Sequence, residues 1–187
     1  MTETWFRTAR RIAFRPLEVE DLEVCRAWLN DPEIHRHLGR FRPISRAEER
    51  EWLEGLHRKE ADHVFGIVRL SDGRLIGNCG LHKAGLPNRD AELGIAIGDR
   101  ASLARGLGRE AVGLLLDYAF ATLGLHRVTL RVYADNLRGI RCYEACGFVR
   151  EGTLREARWR GDRFGDTHVY GILESEWRSS LPRETAP

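Results

Sequence analysis

Two glycines, one residue apart, give this chain its clearest chemical feature. They lie in Arg105-Gly106-Leu107-Gly108, at the start of an apolar segment that predicts a helix over residues 106–123. The first backbone N–H groups of a helix have no partner within the helix and carry partial positive charge. Because glycine has no Cβ, a diphosphate can approach these groups closely. The pattern therefore predicts a site for a nucleotide-bearing ligand.

Three side chains near this loop in the predicted order of elements can also carry chemistry. Glu92 lies at the start of an apolar strand, residues 91–98, and Asn136 precedes a short helix that contains Tyr143. An asparagine before a helix caps it by accepting a hydrogen bond from a backbone N–H group. Seven residues make two helical turns, so Asn136 and Tyr143 fall on a similar face. From the residues alone, a packing role is favoured for Tyr143, and Glu92 can be a charge at the start of a strand that faces solvent.

The elements that must position these residues form a mixed α+β plan. Alternation and strand propensity predict strands at residues 11–15, 91–98, 126–133, 147–152 and 166–174, with a hairpin turn at residues 71–73 between two more. Apolar spacing and caps predict helices at residues 18–30, 46–59, 106–123 and 136–146. We expect one domain over residues 1–187, with a core at about residues 10–178 and a frayed tail from residue 181.

A second interpretation of the glycine loop has to be weighed. Residues 106–111 also match G-x-G-x-x-A, the fingerprint of dinucleotide-binding enzymes. That fingerprint expects the first glycine directly after a strand, whereas Ile97 precedes Gly106 by nine residues. It also expects an acidic residue about 20 positions later, and none lies near His126. The fingerprint is therefore disfavoured, while a purely structural glycine turn stays open.

Composition limits the classes of protein that fit. The 187 residues carry a formal net charge of +2, which is too small to indicate nucleic-acid binding. No apolar run approaches the roughly 20 residues of a membrane span, and the N-terminus lacks a signal-peptide core, so we expect a cytoplasmic protein without a membrane partner. The four cysteines show neither disulfide-scaffold nor zinc spacing, so no metal is expected. Cys142 and Cys146 share a helix face and are expected to be core or reduced surface thiols.

The order of elements resembles the GNAT superfamily of acyl-CoA-dependent N-acetyltransferases. Residues 105–111 look like its pyrophosphate loop, and Asn136 with Tyr143-Glu144 and Gly147-Phe148 looks like its acetyl-transfer helix and the following strand. Residues 161–166 and 169–173 resemble the final hairpin of the branch that acetylates ribosomal-protein N-termini, and residues 17–18 and 30–33 also fit that branch. Two positions depart from the pattern: Leu103 replaces the usual Gln or Arg, and Gly139 replaces a frequent serine.

The resemblance implies a fold and a set of site residues. It implies a GNAT-like α+β fold, whose central twisted sheet is mixed, mostly antiparallel, six- to seven-stranded and covered by about four helices. The implied co-substrate is acetyl-CoA. Its diphosphate would be held by amides of Arg105, Gly106, Leu107, Gly108 and Arg109, and its pantetheine arm would contact Asn136 and the backbone of Ile95, Ala96 and Ile97.

The resemblance also implies catalytic roles. Tyr143 would protonate the departing thiolate, Glu92 would act as general base through a water, and the backbone of residues 95–97 would also donate to the developing oxyanion. Transfer would occur by direct attack in a ternary complex. Cys142 is a weak candidate for a nucleophile, because no histidine lies near it in sequence.

The acceptor amine must be neutral to attack, and this limits its identity. Neutrality at pH 7 costs roughly 4.6 kcal/mol for a lysine-like amine and about 1 kcal/mol for an α-amine. A carboxylate acting through water is therefore sufficient for a protein N-terminus, although small amines stay open. In the resembled branch, the loop that corresponds to residues 35–43 and the final strand, which contains His168 here, lie near the acceptor pocket. From the residues alone, a basic surface loop is favoured for residues 35–43, and surface exposure fits His168 equally well. A non-catalytic acyl-CoA sensor or scaffold is the alternative function, and a homodimer is a further expectation.

Overall fold

The computed structural model describes residues 5–39 and 42–180, and one eight-stranded sheet dominates this part of the chain. The strand order is β1-β2-β3-β4-β5-β6-β8-β7. The strands are β1 Arg7–Thr8, β2 Ile12–Arg15, β3 His63–Arg69, β4 Arg74–Gly85, β5 Asp90–Ile97, β6 Arg127–Tyr133, β7 Val149–Trp159 and β8 Phe164–Leu173. All neighbours pair antiparallel except β5 and β6, which are parallel. The α+β class and the mixed, mostly antiparallel sheet are confirmed.

Six α-helices accompany the sheet in the described ranges. They are α1 Leu22–Asn30, α2 Pro32–His35, α3 Arg46–Gly55, α4 Leu107–Asp117, α5 Leu137–Glu144 and α6 Glu174–Ser180. The predicted counts, six to seven strands and about four helices, were too low, because β1, α2 and α6 are short and carry weak periodicity. The helix predicted over residues 106–123 ends its α-helical part at Asp117 and continues as a π-turn, Tyr118–Thr122.

The helices cover the sheet from two sides. The larger core packs α4 against the sheet, and its fully buried side chains include Ile12, Phe14, Ile67, Ile76, Leu81, Leu115 and Leu116. Each such side chain contributes about 1.5–3 kcal/mol of burial free energy. The smaller core contains Leu17, Leu22, Cys25 and Leu53, which places α1 and α3 together. Trp28 of α1 lies directly on Gly98, where a Cβ would meet its ring at 2.0 Å.

Several expectations concern what the chain lacks. In residues 5–39 and 42–180, no helix is long and apolar enough to cross a membrane. The same residues contain no group of three or more His, Cys, Asp or Glu that could hold a metal ion. All four cysteines are free. The single-domain assignment and the cytoplasmic location stay predictions, and the tail from residue 181 lies outside the described residues.

Candidate active site

The sheet opens between its two parallel strands. β5 and β6 pair only at Asp90–Arg127, Ala91–Val128 and Glu92–Thr129. Beyond Glu92, β5 continues to Ile97 along β4 without β6 beside it. Residues of both diverging strands line one cleft with a volume of about 740 Å³. The cleft therefore starts where the sheet splits, and Glu92 lies at the point of the split.

The split exposes backbone groups of β5. The N–H of Gly98 donates to the carbonyl of Ile76 on β4 at 2.9 Å, and hydrogen-bonding directions alternate along an antiparallel pair. Ala96 therefore directs its backbone groups to β4, whereas those of Ile95 and Ile97 point to the opposite edge. Ala91 lies an even number of residues before Ile95 and Ile97, so its backbone groups point to the same edge of β5. Its carbonyl accepts a hydrogen bond from the hydroxyl of Thr129 on β6, which agrees with this assignment. Ile95, Ala96 and Ile97 all line the cleft, but the backbone groups of Ala96 are directed to β4. Backbone contacts to a ligand at Ile95 and Ile97 therefore stay our prediction.

The glycine loop forms the second wall of the cleft. Gly106 is the N-cap of α4 with φ +78°, a left-handed conformation that favours glycine, and no side chain caps this helix in the described part of the chain. Gly106, Gly108 and Arg109 line the cleft. The uncapped first turn with its positive dipole end therefore faces the opening and is suited to a diphosphate.

The side chains of two residues of the predicted loop, Leu107 and Arg105, do not line the cleft. The side chain of Leu107 is 3% exposed and belongs to the larger core, and the exposed Arg105 does not line the cleft. Any contact from Leu107 to a ligand must come from its backbone N–H group. The Arg105 carbonyl already accepts from the Arg11 guanidinium at 2.9 Å.

Arg11 is a supporting residue that the sequence did not suggest. Its Nε donates to Glu110 of α4 at 2.8 Å, and its backbone N–H also donates to Glu110 at 3.1 Å. Its Nη2 would lie 3.2 Å from a Cβ at Gly106. Arg11 therefore ties the β1–β2 turn to both the loop and the first turn of α4. No sequence motif marks it, because its partners lie about 100 residues away.

Asn136 occupies its predicted position at the start of α5. Its Oδ1 accepts from the N–H of Gly139 at 3.0 Å, so the capping role is present and the amide donors stay available. Asn136 and Gly139 both line the cleft. A Cβ at Gly139 would lie 2.7 Å from the Asn136 Nδ2, so this glycine leaves room for the amide. Leu103, the other departure from the family pattern, contributes an apolar lining residue.

Tyr143 also lines the cleft and lies on the same side of α5 as Asn136, the residue that caps this helix. Its ring packs edge-on against Phe148, with ring centroids 6.0 Å apart. Burial raises the pKa of the Tyr143 hydroxyl above its usual value, and the thiols of Cys142 and Cys146 raise it further. The hydroxyl thus stays protonated at neutral pH. It can donate either a hydrogen bond or a proton to a group in the cleft.

Glu92 provides the one carboxylate among the described cleft-lining residues. Its side chain is 39% exposed, and its Oε1 lies 3.9 Å from the Nε of Arg131 on β6. On β4 its cross-strand partner is His82, which Asp62 contacts at 3.4 Å. Glu92 is therefore reachable by water and flanked by two cationic or polar side chains.

The two neighbouring cysteines of α5 differ in exposure. Cys142 lines the cleft beside Gly108, whereas Cys146 is buried and donates to the Arg109 carbonyl at 3.7 Å. The contact between the two thiols lowers the pKa of Cys142 and raises that of Cys146. No histidine appears among their recorded contacts in the described residues, so they do not form a nucleophile–base pair.

The remaining wall comes from the expected acceptor region. Ile34 of α2 and the following His37 and Leu38 line the cleft, opposite Tyr133 at the end of β6. Arg40 and Phe41 of the predicted loop lie outside the described residues. His168 does not line the cleft but shares a 2.9 Å hydrogen bond with Thr153, and its neighbour Thr167 faces the cleft instead. Side chains alternate along a strand, which explains the exchange.

Comparisons with known proteins identify the family of this chain. A family model described as an acetyltransferase (GNAT) domain matches residues 11–149. The probable N-acetyltransferase YjcK of Bacillus subtilis (strain 168) is 33% identical over 180 residues, covering 89% of this chain and 96% of that protein. The putative ribosomal N-acetyltransferase YdaF of the same organism is 32% identical over 137 residues, covering 72% of this chain and 74% of that one.

A solved structure extends the likeness to the whole sheet. The crystal structure of spermidine N-acetyltransferase from Vibrio cholerae, in complex with CoA and spermine, matches with a TM-score of 0.83 at 28% identity. The match covers 90% of this chain and 98% of that one. The family match decides for the enzyme over the non-catalytic sensor. The chain belongs to the GNAT acetyltransferase family and is an N-acetyltransferase that uses acetyl-CoA as its co-substrate.

Proposed function

We propose that this enzyme acetylates a protein N-terminal α-amine by direct attack in a ternary complex. The observation that carries the proposal is the single cleft that Glu92, Tyr143, Asn136 and the glycine loop line together. Acetyl-CoA supplies an activated acetyl thioester. An acceptor amine entering from the α2 side would meet it at the split between β5 and β6.

Each part of the cleft has a distinct task in this proposal. The N–H groups at the start of α4 hold the diphosphate, and the free backbone edge of Ile95 and Ile97 aligns the pantetheine arm. The Asn136 amide has donors left after capping α5, and these reach toward the same arm. None of these contacts requires a charged side chain, so the co-substrate half of the cleft is built mainly from oriented backbone groups.

Glu92 and Tyr143 act on protons in this proposal. Glu92 accepts the amine proton through a water, since its carboxylate is partly exposed at the split. The hydroxyl of Tyr143 donates a hydrogen bond to the leaving sulfur. Because burial raises the pKa of its hydroxyl, a hydrogen bond that stabilises the thiolate is favoured over complete loss of the phenolic proton.

Two considerations favour an α-amine as acceptor. An α-amine is neutral at pH 7 at a cost of about 1 kcal/mol, against roughly 4.6 kcal/mol for a lysine-like amine, and one partly exposed carboxylate suits the smaller demand. The likeness to the putative ribosomal N-acetyltransferase YdaF supports the same class. The Vibrio cholerae enzyme in complex with spermine makes a polyamine the second candidate.

A turnover assay tests the proposal. Release of the CoA thiol is followed with acetyl-CoA and three acceptors: an alanine-terminated peptide, the same peptide with a blocked N-terminus, and spermidine. We expect sustained turnover with the free peptide and none with the blocked one. Faster turnover with spermidine than with the peptide would contradict the α-amine assignment. Mass spectrometry of a lysate incubated with labelled acetyl-CoA then identifies the modified N-termini.

A homodimer is a further part of the proposal. Exposed apolar side chains cluster where β7 and β8 meet the solvent, and Trp159 and Phe164 pack edge-on there with centroids 5.0 Å apart. Sedimentation equilibrium of the whole chain, compared with a Trp159→Ser variant, tests this surface. A dimer mass for the wild type and a lower mass for Trp159→Ser are expected. A monomer mass for both proteins would contradict the dimer.

A further inference from the structure

β7 buries a single residue, and that residue is charged. Ten of its eleven positions are exposed, as expected at the edge of a sheet, whereas Arg158 is 8% exposed. Arginine is almost never buried without a partner, since removing its charge from water is costly. The position of this guanidinium therefore needs a physical explanation.

A distortion of β7 turns Arg158 inward. The β7–β8 register shifts between Leu154 and Arg158, so the extra residues bulge out of the pairing. Within the bulge, Glu156 adopts φ +52°, and its N–H donates to the Asp166 carboxylate at 2.9 Å. A left-handed glutamate costs about 1–2 kcal/mol, and bulges commonly re-aim a side chain near functional sites.

The guanidinium has few partners where it lies. Its Cζ is 3.4 Å from the ring centroid of Tyr133, and its Nη2 donates to the Arg36 carbonyl. Its Nε and Nη1 are buried and have no acceptor among the described residues. The nearby Asp135 carboxylate is already paired with Arg160. Arg158 therefore keeps a buried positive charge and two unused N–H donors.

A second unused donor group lies in the same place. His37 lines the cleft, and its Nδ1 is likewise buried without an acceptor in the described ranges. Its Nε2 accepts from the Arg36 Nε at 3.2 Å, so the ring proton is on Nδ1. Burial, followed by the Arg36 charge, lowers the pKa of His37, which is therefore neutral at pH 7.

Arg158, Tyr133 and residues 36–39 form one structure, which we call the guanidinium cluster. A Cβ at Gly39 would lie 2.5 Å from the Tyr133 hydroxyl, so this turn rests on the tyrosine. The cluster borders the cleft through Tyr133 and His37, and Leu154 and Ala157 of β7 line it nearby, whereas Arg158 lies behind these lining residues. Its unused groups are all donors, and its net charge is positive.

Such a wall fits one kind of acceptor. We propose that Arg158 and His37 select amines that carry a carboxylate or carbonyl oxygen close to the attacking nitrogen, and that they disfavour polycations. The proposal rests on the acetyl transfer proposed above and names its substrate class. An oxygen acceptor would satisfy the unused donor of His37 and would be attracted by the buried charge of Arg158 behind the lining, whereas a second ammonium group would meet like charge in a poorly solvated site.

Two sources supply this chemistry, and the assay separates them. Values of kcat/KM are measured with L-alanine, an alanine-terminated peptide, the oxygen-free isopropylamine and spermidine. The variants are Arg158→Met, which keeps bulk but loses charge, Arg158→Lys, which keeps charge but loses the fork, and Arg155→Gln as an exposed control on the same strand. Thermal melting and the KM for acetyl-CoA are recorded for each.

We expect Arg158→Met to lower kcat/KM for the oxygen-bearing acceptors by about 10- to 100-fold, because the buried positive charge that attracts the oxygen is lost. Its effect on isopropylamine should stay below about threefold, Arg158→Lys should be intermediate, and Arg155→Gln should match the wild type. An equal loss for all amines, or none, would overturn the inference.

The outcomes also separate this inference from the proposed function. If L-alanine outperforms the peptide and Arg158→Met removes the preference, the inference stands and the N-terminal acceptor falls. If spermidine is the best acceptor in every variant, the inference falls while amine acetylation stands. If the wild type acetylates no amine, both fall. A variant that melts early is judged by the ratio between acceptors, which partial unfolding does not change.

Discussion

The two halves of the cleft are built in different ways. In the proposed co-substrate half, the binding groups are backbone groups whose placement local sequence determines: a left-handed glycine at residue 106, the uncapped first turn of α4 and the unpaired edge of β5. In the proposed acceptor half, side chains of α2 and of the turn after it meet β6 and β7, which lie more than 90 residues later in the chain.

This difference has a functional consequence. Backbone N–H groups cannot be exchanged by substitution, so the first half can bind the same carrier while side chains vary. Arg158, His37 and Tyr133 are individually replaceable, so the second half can change its acceptor. We therefore expect substitutions in the first half to alter acetyl-CoA affinity for every acceptor, and substitutions in the second half to alter the ranking of acceptors.

The largest expected effect is on the glycine loop. Proline fixes φ near −65°, which is incompatible with the +78° of Gly106, so Gly106→Pro should rotate the first N–H groups of α4 away from the cleft. Hydrogen bonds to a charged group contribute about 1.5–3 kcal/mol each, so the Kd for CoA should rise by about 100-fold or more. Isothermal titration measures it.

Gly73→Pro is the matched control for this substitution. Gly73 also has a positive φ, +66°, but lies in the β3–β4 turn away from the cleft. It should lower the melting temperature and leave CoA affinity unchanged. Equal CoA affinities for Gly106→Pro and the wild type would refute the backbone cradle.

The next effect is on the leaving group. Tyr143→Phe should lower kcat by about 100-fold, within the usual range for general acids, with little change in acetyl-CoA affinity. Steady-state kinetics with saturating acceptor measures this. Tyr118→Phe removes a hydroxyl that contacts His63 at 3.0 Å and serves as control, since Tyr118 does not line the cleft. An unchanged kcat in Tyr143→Phe would remove the tyrosine from the mechanism.

A smaller effect is expected at the split of the sheet. Glu92→Gln keeps the shape but cannot accept a proton, so kcat/KM for the acceptor should fall by about 10- to 100-fold. Glu151→Gln breaks a comparable pair with Arg127 on the exposed edge, where a surface ion pair contributes about 0–1 kcal/mol, and should leave kcat/KM unchanged. Full activity in Glu92→Gln, measured at saturating acetyl-CoA, would assign the proton to another group.

The last prediction is that the contribution of the Tyr143 hydroxyl to kcat does not depend on pH. Because burial raises the pKa of Tyr143 above its ordinary value of 10.0, the hydroxyl stays protonated from pH 7 to pH 10. The ratio of wild-type kcat to that of Tyr143→Phe should therefore be constant over this interval. A ratio that falls toward one between pH 8 and pH 9 would mean that the hydroxyl ionises there and that the environment of Tyr143 differs from the one described.

The same division explains what the sequence predicted. The order of the main elements, the cap at Asn136 and the glycine loop follow from local patterns, and the structure has them in place. Arg11 and Arg158 escaped prediction because the carbonyl groups to which they donate, those of Arg105 and Arg36, lie about 100 residues away in the chain. The bulge that buries Arg158 leaves no pattern, since Glu156 is not a residue that favours positive φ. For His168 the sequence left a position near the acceptor and a surface position equally open, because a one-residue shift in phase exchanges the two faces of a strand. In the structure Thr167, and not His168, lines the cleft.

The most direct test of the central claim follows backbone amides while CoA is added. In ¹H–¹⁵N spectra of the isotopically labelled full chain, the account predicts the largest shift changes at residues 106–109 and at Ile95 and Ile97. Amides at the far end of the sheet, such as those of β2, should move little. If CoA binds and residues 106–109 keep their shifts while another surface responds, the backbone cradle is contradicted.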